Sequence, residues 1–186
     1  MNKGINMAVA KKNYILETVA LNKIKNNDPE YLCVFISHRS TDKEDAIAVA
    51  NLLRENGIDV YIDIDDEGLQ IETQNDNPEG IVKHIQEALK YSTHLMALIS
   101  DNTKESWWVP YEIGYAKHAE KKIASLRLKK NLDGFPDYLK IEPCLDNVDD
   151  LKQYIKNAIK RKSRYGSLFT ENCNIEINEE IYKYVR

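Results

Sequence analysis

The residues best suited to chemistry in this sequence lie in one short run, Ser106-Trp107-Trp108-Val109-Pro110-Tyr111-Glu112. Two adjacent tryptophans are costly to expose to water, and a carboxylate follows the second one four residues later. In a helix this spacing places Trp108 and Glu112 on one face. An acidic group beside an aromatic wall can form a functional site. The same spacing fits tryptophans that anchor a helix to a sheet beside a solvated carboxylate, so spacing alone leaves both interpretations open.

The elements that must position this run alternate between strands and helices. Apolar runs typical of strands cover residues 31–37, 58–63, 94–100 and 122–128, and a weaker fifth strand is predicted near 138–141. Helical patterns follow the capping-box spacing of Thr41-Asp42-Lys43-Glu44, and recur after Gly80, from about 107 to 120 and over 151–159. Residues 64–79 are predicted to form a long, polar, acidic loop. The alternation predicts an α/β fold, a parallel sheet with helices on both faces.

In such a fold, ligands bind beyond the carboxyl ends of the strands. These ends carry Ser37-His38-Arg39, Asp63, and the segment from Ser100 to Ser106. The tryptophan–glutamate run therefore lies at the edge where a ligand is expected. Residues 37–39 are placed to hold a phosphate or a ribose, although an exposed loop also explains His38 and Arg39. Asp63 is expected to cap the loop that follows it rather than to take part in catalysis.

The composition excludes several classes of protein. The 186 residues carry 26 basic and 30 acidic side chains, and a net charge of −4 argues against a nucleic-acid surface. No apolar stretch approaches the roughly 18 residues of a membrane span. The three cysteines are far apart and form no CxxC pair, which favours a reducing, cytoplasmic setting.

Specific cofactor and metal motifs are also missing from the sequence. The seven glycines never fall two apart, so neither a GxGxxG turn nor a P-loop is present, and no GxSxG elbow occurs. The four histidines lack ligand spacing. The run Asp63-Ile64-Asp65-Asp66-Glu67-Gly68 resembles the start of a calcium loop, but Gln74 stands where a bidentate glutamate is needed. We therefore expect no metal site and no bound cofactor.

The chain divides into three predicted parts. Residues 1–28 form an N-terminal helical extension, in which 3–25 is apolar over a wide arc and either packs on the domain or contacts another chain. Residues 30–160 form the α/β domain. Residues 161–186 form a polar C-terminal extension.

Three segments of the central domain resemble the Toll/interleukin-1 receptor (TIR) domain family, especially its bacterial members. They are Phe35-Ile36-Ser37-His38-Arg39-Ser40-Thr41-Asp42-Lys43, then Gly57-Ile58-Asp59-Val60-Tyr61-Ile62-Asp63, and finally residues 100–112 with their serines, tryptophan and glutamate. They occur in the expected order and spacing over roughly residues 30–160. The segment 64–79 departs from the family pattern, since it is long and acidic and lacks a Pro-Gly step.

The resemblance implies a flavodoxin-like five-stranded parallel sheet with helices on both faces. Many bacterial and plant members cleave NAD at the nicotinamide–ribose bond, and the glutamate that matches Glu112 is their essential residue. Some members only hydrolyse NAD, whereas others cyclise ADP-ribose into a signal, as in Thoeris anti-phage defence. Animal adaptor members act mostly as scaffolds through homotypic contacts.

We therefore expect an NAD-cleaving TIR enzyme, an NAD glycohydrolase or ADP-ribosyl cyclase that produces a cyclic ADP-ribose-type signal in antiviral defence. Glu112 is the predicted catalytic residue, and NAD is the substrate rather than a cofactor. The predicted substrate-binding residues are Ser37, His38, Arg39, Ser106 and Trp108. We expect self-association through TIR surfaces, with the 64–79 loop completing a neighbour's site, and an effector protein reached only through the diffusible product. A non-enzymatic TIR scaffold and a nucleoside deoxyribosyltransferase-like enzyme remain the alternatives.

The local setting of the glutamate carries its own expectations. Pro110 is typical of a first helical turn, which predicts that Glu112 lies there and that the helix dipole keeps it ionised. Trp108 is expected either to offer a face to the ligand or to pack on the sheet. Trp107 is expected in the core.

Overall fold

A computed structural model describes residues 31–129, 134–163, 175 and 177–185. Five parallel strands form one sheet: β1 (Cys33–Ser37), β2 (Asp59–Tyr61), β3 (His94–Ile99), β4 (Lys122–Arg127) and β5 (Cys144–Leu145). Five α-helices accompany them: α1 (Lys43–Glu55), α2 (Glu67–Gln74), α3 (Pro78–Tyr91), α4 (Trp108–His118) and α5 (Val148–Ser163). The predicted N-terminal helix, 3–25, lies outside the described residues.

The strands lie in the order β2-β1-β3-β4-β5, with every neighbouring pair parallel. This is the flavodoxin-like order, so the expected fold class is confirmed. The order reverses direction between β1 and β3, and in open parallel sheets the crevice outside the carboxyl ends at this point is where ligands bind. The sheet thus brings the ends of β1 and β3 side by side at a natural binding edge.

Two apolar cores cover the two faces of the sheet. Alternate side chains of the central strands, such as Val34 and Phe35, enter opposite cores because successive residues of a strand point to opposite faces. Helices α1 and α5 contribute buried residues to one core, and helices α2, α3 and α4 contribute to the other. Helix α4, which carries Glu112, therefore packs on the face that the β1 side chains Phe35 and Ser37 share.

Three local expectations were wrong: the loop at 64–79, the position of the fifth strand, and the capping box at Thr41. The segment 64–79 contains helix α2, which the pattern missed because only Leu69 of this helix is buried; the Asp66 side chain caps it by accepting the Leu69 N–H. The fifth strand is only the two residues Cys144–Leu145, too short for a periodic pattern, whereas the 138–141 region holds a 3-10 turn, Asp137–Leu139.

The expected capping box at Thr41 is also absent. Thr41 lies within a 3-10 turn, Ser40–Asp42, and helix α1 starts one residue later. Asp42 precedes the helix but makes no side-chain cap. Its carboxylate instead accepts hydrogen bonds from a different loop, because Asp42 is fully buried beside the end of β3.

The described part of the C-terminal segment packs against the domain. A 3-10 turn, Glu179–Lys183, places Ile181 in the core between α1 and α5, where it is 2% exposed. Val185 forms a backbone bridge with Leu128 at the end of β4. Within the described residues, no helix is both long enough and apolar enough to cross a membrane.

Candidate active site

Glu112 lies at the carboxyl edge of the sheet, held by the end of β1. The Ser37 hydroxyl donates a hydrogen bond of 2.5 Å to the Glu112 Oε2 atom, joining residues 75 positions apart. Ser37 is fully buried and Glu112 is 8% exposed. The structure thus brings together two of the predicted site residues at the point where the strand order reverses.

Burial dominates the ionisation of this carboxyl group. Desolvation raises the pKa of Glu112 to about 8; the hydrogen bond from Ser37 opposes this shift, and the negative charge of Asp63 adds to it. The structure does not place Glu112 in the first helical turn, as the sequence predicted, and burial opposes the ionised form that the helix dipole was expected to favour. Helix α4 begins at Trp108 and has no acidic residue in its first turn, so Glu112 lies beyond the reach of the terminal dipole.

His38 and Asp63 form a pair beside Glu112. The side chain of His38 is 2% exposed, and its Nε2 atom lies 3.6 Å from the Asp63 Oδ1 atom. Desolvation raises the pKa of the Asp63 carboxyl, and the charge of His38 partly opposes this shift. His38 is not the exposed loop residue that the sequence allowed, because the adjoining end of β2 covers it.

Arg39 connects two loops at the same edge. Its guanidinium Nη1 donates to the Asn102 carbonyl oxygen and to the Glu105 Oε2 atom, each at 2.6 Å. Both partners belong to the 3-10 turn Asp101–Glu105 that leads from β3 towards α4. This arginine thus fixes the position of the turn that precedes Glu112.

The remaining predicted residues lie at the start of α4. The Ser106 hydroxyl accepts the Val109 N–H at 3.2 Å, which satisfies a free donor of the first helical turn. Trp108 is 41% exposed and meets the ring of Tyr111 edge-on, with centroids 6.0 Å apart. Trp107 is 91% exposed, so the expectation that it belongs to the core is wrong; the 3-10 turn before α4 directs it away from the sheet.

A buried carboxylate that the sequence did not single out organises the loop before α4. Asp42 accepts the Ser100 hydroxyl at 2.5 Å and the Asn102 side-chain amide at 2.7 Å. Ser100 and Thr103 also form a capping box that closes the turn. Asp42 was interpreted only as part of a capping sequence, and its distant partners are invisible in a local pattern.

A cavity of about 470 Å³ lies away from this site, at the opposite, amino edge of the sheet, where His94, Lys122 and Cys144 begin their strands. In the described part of the chain, no group of three or more His, Cys, Asp or Glu side chains could hold a metal ion.

Comparisons with known proteins identify the family of the domain. A family model described as "TIR domain" matches residues 34–153. A Bacillus cereus (strain MSX-D12) protein named "Probable 3' cyclic ADP-D-ribose synthase ThsB'" is 31% identical over 118 residues, which are 63% of this chain and 58% of that protein. The chain therefore matches less than two thirds of that relative's length.

A solved structure resembles the same part of the fold. The TIR domain of a Toll-related receptor from Hydra magnipapillata matches with a TM-score of 0.53 and 19% identity, covering 70% of this chain and 97% of that domain. At this identity the likeness concerns the fold alone.

Proposed function

This chain belongs to the TIR-domain family, and on that premise we propose that it cleaves NAD at the bond between nicotinamide and ribose, with Glu112 as the catalytic carboxylate. The observation that carries the proposal is the contact between Ser37 and Glu112, at the strand-order reversal and away from solvent. The relative named as a probable 3' cyclic ADP-D-ribose synthase supports the substrate class.

One buried carboxylate suits this bond. Glycosidic cleavage passes through an oxocarbenium-like state, and two carboxylates normally serve it, one of them protonating the leaving group. Nicotinamide needs no such proton, because the electron pair of the breaking bond neutralises the positive charge already on its ring. Glu112 then has two tasks: to hold ribose hydroxyls and to face the positive charge that develops on the sugar.

The raised pKa of Glu112 fits a site whose ligand is a cation. Burial raises the pKa of Glu112 to about 8, which favours the protonated carboxyl at neutral pH. A bound pyridinium cation favours the ionised form, because an opposite charge within a few ångströms lowers a carboxyl pKa. Substrate binding and loss of the Glu112 proton are therefore coupled.

The remaining predicted contacts fit the two ends of such a ligand. Trp108 shares a face of α4 with Glu112 at i and i+4, and its half-exposed ring can cover the nicotinamide or the ribose. Ser37 orients the carboxylate through its hydrogen bond. His38, Arg39 and Ser106 complete the rim, where they hold the loops that bound the cleft.

The decisive experiment follows nicotinamide release from NAD by the purified protein. Glu112→Gln keeps the size of the side chain and an acceptor for Ser37 but removes the charge. We expect release to fall about 10²- to 10³-fold, as for the loss of one transition-state contact. Glu120→Gln, at an exposed position in the turn that follows the same helix, is the control and should retain wild-type release. Equal activity of wild type and Glu112→Gln contradicts the proposal.

The proposed product is a cyclic ADP-ribose-type signal that acts in anti-phage defence through a separate effector. The name of the Bacillus cereus relative supports cyclisation. Mass spectrometry of the products tests this finer proposal. A mass equal to ADP-ribose minus one water indicates a cyclic product, whereas linear ADP-ribose alone indicates a hydrolase.

Self-association is the second part of the proposal. A TIR protein that acts only as a scaffold would also self-associate. Trp107 presents a large apolar ring that is 91% exposed, next to the candidate site. Packing of this ring against a second copy of the chain would remove apolar surface from contact with water, which favours association. We expect Trp107→Ser to lower the weight-average mass in sedimentation velocity, while exposed Ile141→Ser leaves it unchanged. Association without any NAD turnover would favour the scaffold.

A further inference from the structure

Asp63 occupies a position that a loop-capping role does not explain. It follows β2 and opens a 3-10 turn, Asp63–Asp65, yet its side chain makes no cap for an adjoining helix. Its Oδ1 atom is buried and, among the described residues, has no hydrogen-bond partner. The nearest charged group is the imidazole of His38, at 3.6 Å. A carboxylate oxygen left without a donor at the edge of a site calls for a role in that site.

The two oxygens of Asp63 face different surroundings. Oδ1 points inward to His38, whose side chain is almost wholly buried, whereas the Asp63 side chain as a whole is 42% exposed. Asp63 is therefore open to a ligand on one side and supported by a fixed imidazole on the other. Its charge also acts on Glu112, which places both carboxylates in one site.

The proposed reaction needs a second group to receive a proton. When the C1–N bond breaks, its electron pair passes to the nicotinamide ring, which leaves neutral. When a hydroxyl of water or of a ribose attacks C1, the new C1–O bond uses an oxygen lone pair, and the hydroxyl proton must leave. If Glu112 accepted this proton, it would lose the negative charge that stabilises the sugar cation. A separate acceptor avoids this conflict.

Most other polar groups at this edge are committed elsewhere. The Ser37 hydroxyl donates to Glu112, and the Ser106 hydroxyl accepts a backbone N–H. Arg39 carries donors only. The Tyr61 hydroxyl donates to Asp66 at 2.7 Å. The Asp63 Oδ1 atom, in contrast, accepts no hydrogen bond from the described residues, and the Asp63 side chain as a whole is 42% exposed.

We propose that Asp63 is a second catalytic carboxylate, which accepts the proton of the attacking hydroxyl, and that His38 is the positioning residue that holds it. This inference rests on the proposed NAD cleavage. It concerns the next step, in which a hydroxyl attacks C1. The carboxylate takes the proton as the C1–O bond forms, and it later releases that proton to water. The two carboxylates thus have different roles. Glu112 stabilises the sugar cation, and Asp63 accepts the proton of the hydroxyl that attacks it.

The surroundings of Asp63 suit a proton acceptor. Desolvation raises the pKa of its carboxyl, and the neighbouring Asp65 adds to this shift. Coulombic interactions with His38 and Lys43 and the Ile64 backbone N–H lower the pKa and so oppose the shift. A carboxylate with a pKa above its ordinary range binds a transferred proton more readily, which general-base catalysis requires.

The test compares two reactions that differ only in their need for a proton acceptor. Labelled free nicotinamide can attack C1 and re-form NAD without losing a proton, whereas water or a ribose hydroxyl cannot. We expect Asp63→Asn to keep exchange of labelled nicotinamide into NAD within about threefold of wild type. Net formation of ADP-ribose or its cyclic form should fall about 10²- to 10⁴-fold, the usual range for loss of a general base.

Controls separate this role from folding and from the proposed function. Asp76→Asn, in the exposed turn that follows helix α2, should leave both reactions unchanged. Continued exchange by Asp63→Asn shows that the variant is folded and still cleaves NAD. Normal net product formation by Asp63→Asn overturns the inference, and so does a parallel loss of both reactions. A wild type without nicotinamide release or exchange overturns the proposed function together with the inference.

His38→Gln tests the positioning residue separately. Loss of the imidazole removes an interaction that lowers the Asp63 pKa, so the pH at half-maximal net product formation should rise, while exchange persists. A purely structural role for His38 would lower both reactions without moving that midpoint. An unchanged midpoint contradicts the proposed role of His38.

Discussion

At the scale of single residues, the state of Glu112 depends on a balance between burial and one hydrogen bond. Burial raises the pKa of this carboxyl to about 8, and the Ser37 hydroxyl moves it in the opposite direction. Such a hydrogen bond stabilises the ionised form because it shortens and strengthens as negative charge is placed on the acceptor. The activity of the site should therefore respond to pH through this contact.

The first prediction concerns the pH profile. If ionised Glu112 is required, kcat/KM for nicotinamide release rises with pH and levels off above about 8. Ser37→Ala removes the stabilising hydrogen bond, so the midpoint should move upward by about one pH unit. Ser125→Ala, another fully buried serine on a strand, should leave the midpoint where it is. A pH profile of Ser37→Ala with the wild-type midpoint would contradict the proposed effect of Ser37 on the Glu112 pKa.

The second prediction concerns stability. Glu112 has a native pKa of about 8 against an ordinary value of 4.5, so the native state binds a proton that the unfolded state has already released between these values. The stability contributed by the neutral acid is complete below pH 4.5 and is lost as pH rises through 8. Glu112→Gln stays neutral and should therefore exceed wild type by roughly 3–5 kcal/mol at pH 9.

Urea denaturation of both proteins at pH 4.5 and pH 9 measures this difference. At pH 4.5 the two proteins should have nearly equal free energies of unfolding, because Glu112 is then neutral in wild type as well. Effects of other titrating groups cancel in the difference between the variants. A difference that is the same at both pH values would show that Glu112 is not a desolvated acid.

At the scale of the elements, the loop between β3 and α4 is fixed by a carboxylate from another part of the chain. Asp42, just before α1, accepts hydrogen bonds from Ser100 and Asn102 on this loop, and Arg39 reaches its Asn102 carbonyl oxygen. One segment that follows β1, from Arg39 to Asp42, therefore holds the loop that leads to Glu112. A rigid support of this kind is what places a catalytic side chain within a fraction of an ångström.

The third prediction tests this support. Asp42→Asn replaces one acceptor oxygen by an NH₂ group that faces a donor, inside a fully buried network. We expect the free energy of unfolding to fall by about 2–4 kcal/mol. Lys104→Gln in the same loop removes the cation of an exposed ion pair with Asp101 and should change stability by less than about 1 kcal/mol. Similar small effects of both substitutions would show that the network contributes little.

At the scale of the whole molecule, the C-terminal segment closes one core. Ile181 and Val185 lie among side chains of α1 and α5, and the Lys129 N–H donates to the Tyr184 carbonyl oxygen at 2.7 Å. This contact extends from the end of β4 to residues almost 60 positions later. The boundary predicted at residue 161 therefore separates parts that share a core.

The fourth prediction concerns the contribution of this C-terminal segment to stability. Ile181→Ala removes a buried side chain that is 2% exposed, and should lower the free energy of unfolding by about 2–4 kcal/mol. Tyr182→Ala, the next residue and 44% exposed, serves as the control with an expected loss below about 1 kcal/mol. Chemical denaturation of both variants gives the comparison. Equal losses would contradict the placement of Ile181 in the core.

The sequence by itself determined most of the elements and singled out Glu112 as the candidate catalytic residue. Long apolar runs and helical periodicity are local, so they predicted β1, β3, β4 and the helices around them. The same local rules failed where the signal was short or polar, at β5 and at α2, whose single buried residue is Leu69. The Ser37 and Glu112 motifs pointed to the correct edge because strand ends can be read from the sequence.

Only the tertiary structure decided what these residues experience. The order β2-β1-β3 placed Ser37 against Glu112, and packing of α4 over β1 buried that carboxyl and raised its pKa. The same packing left Trp107 in solvent and set Asp63 beside His38 with an unpaired oxygen. Burial, charge coupling and distant hydrogen bonds arise from segments far apart in the chain. No local pattern carries them, which is the physical reason that a motif could locate the site but not predict its ionisation.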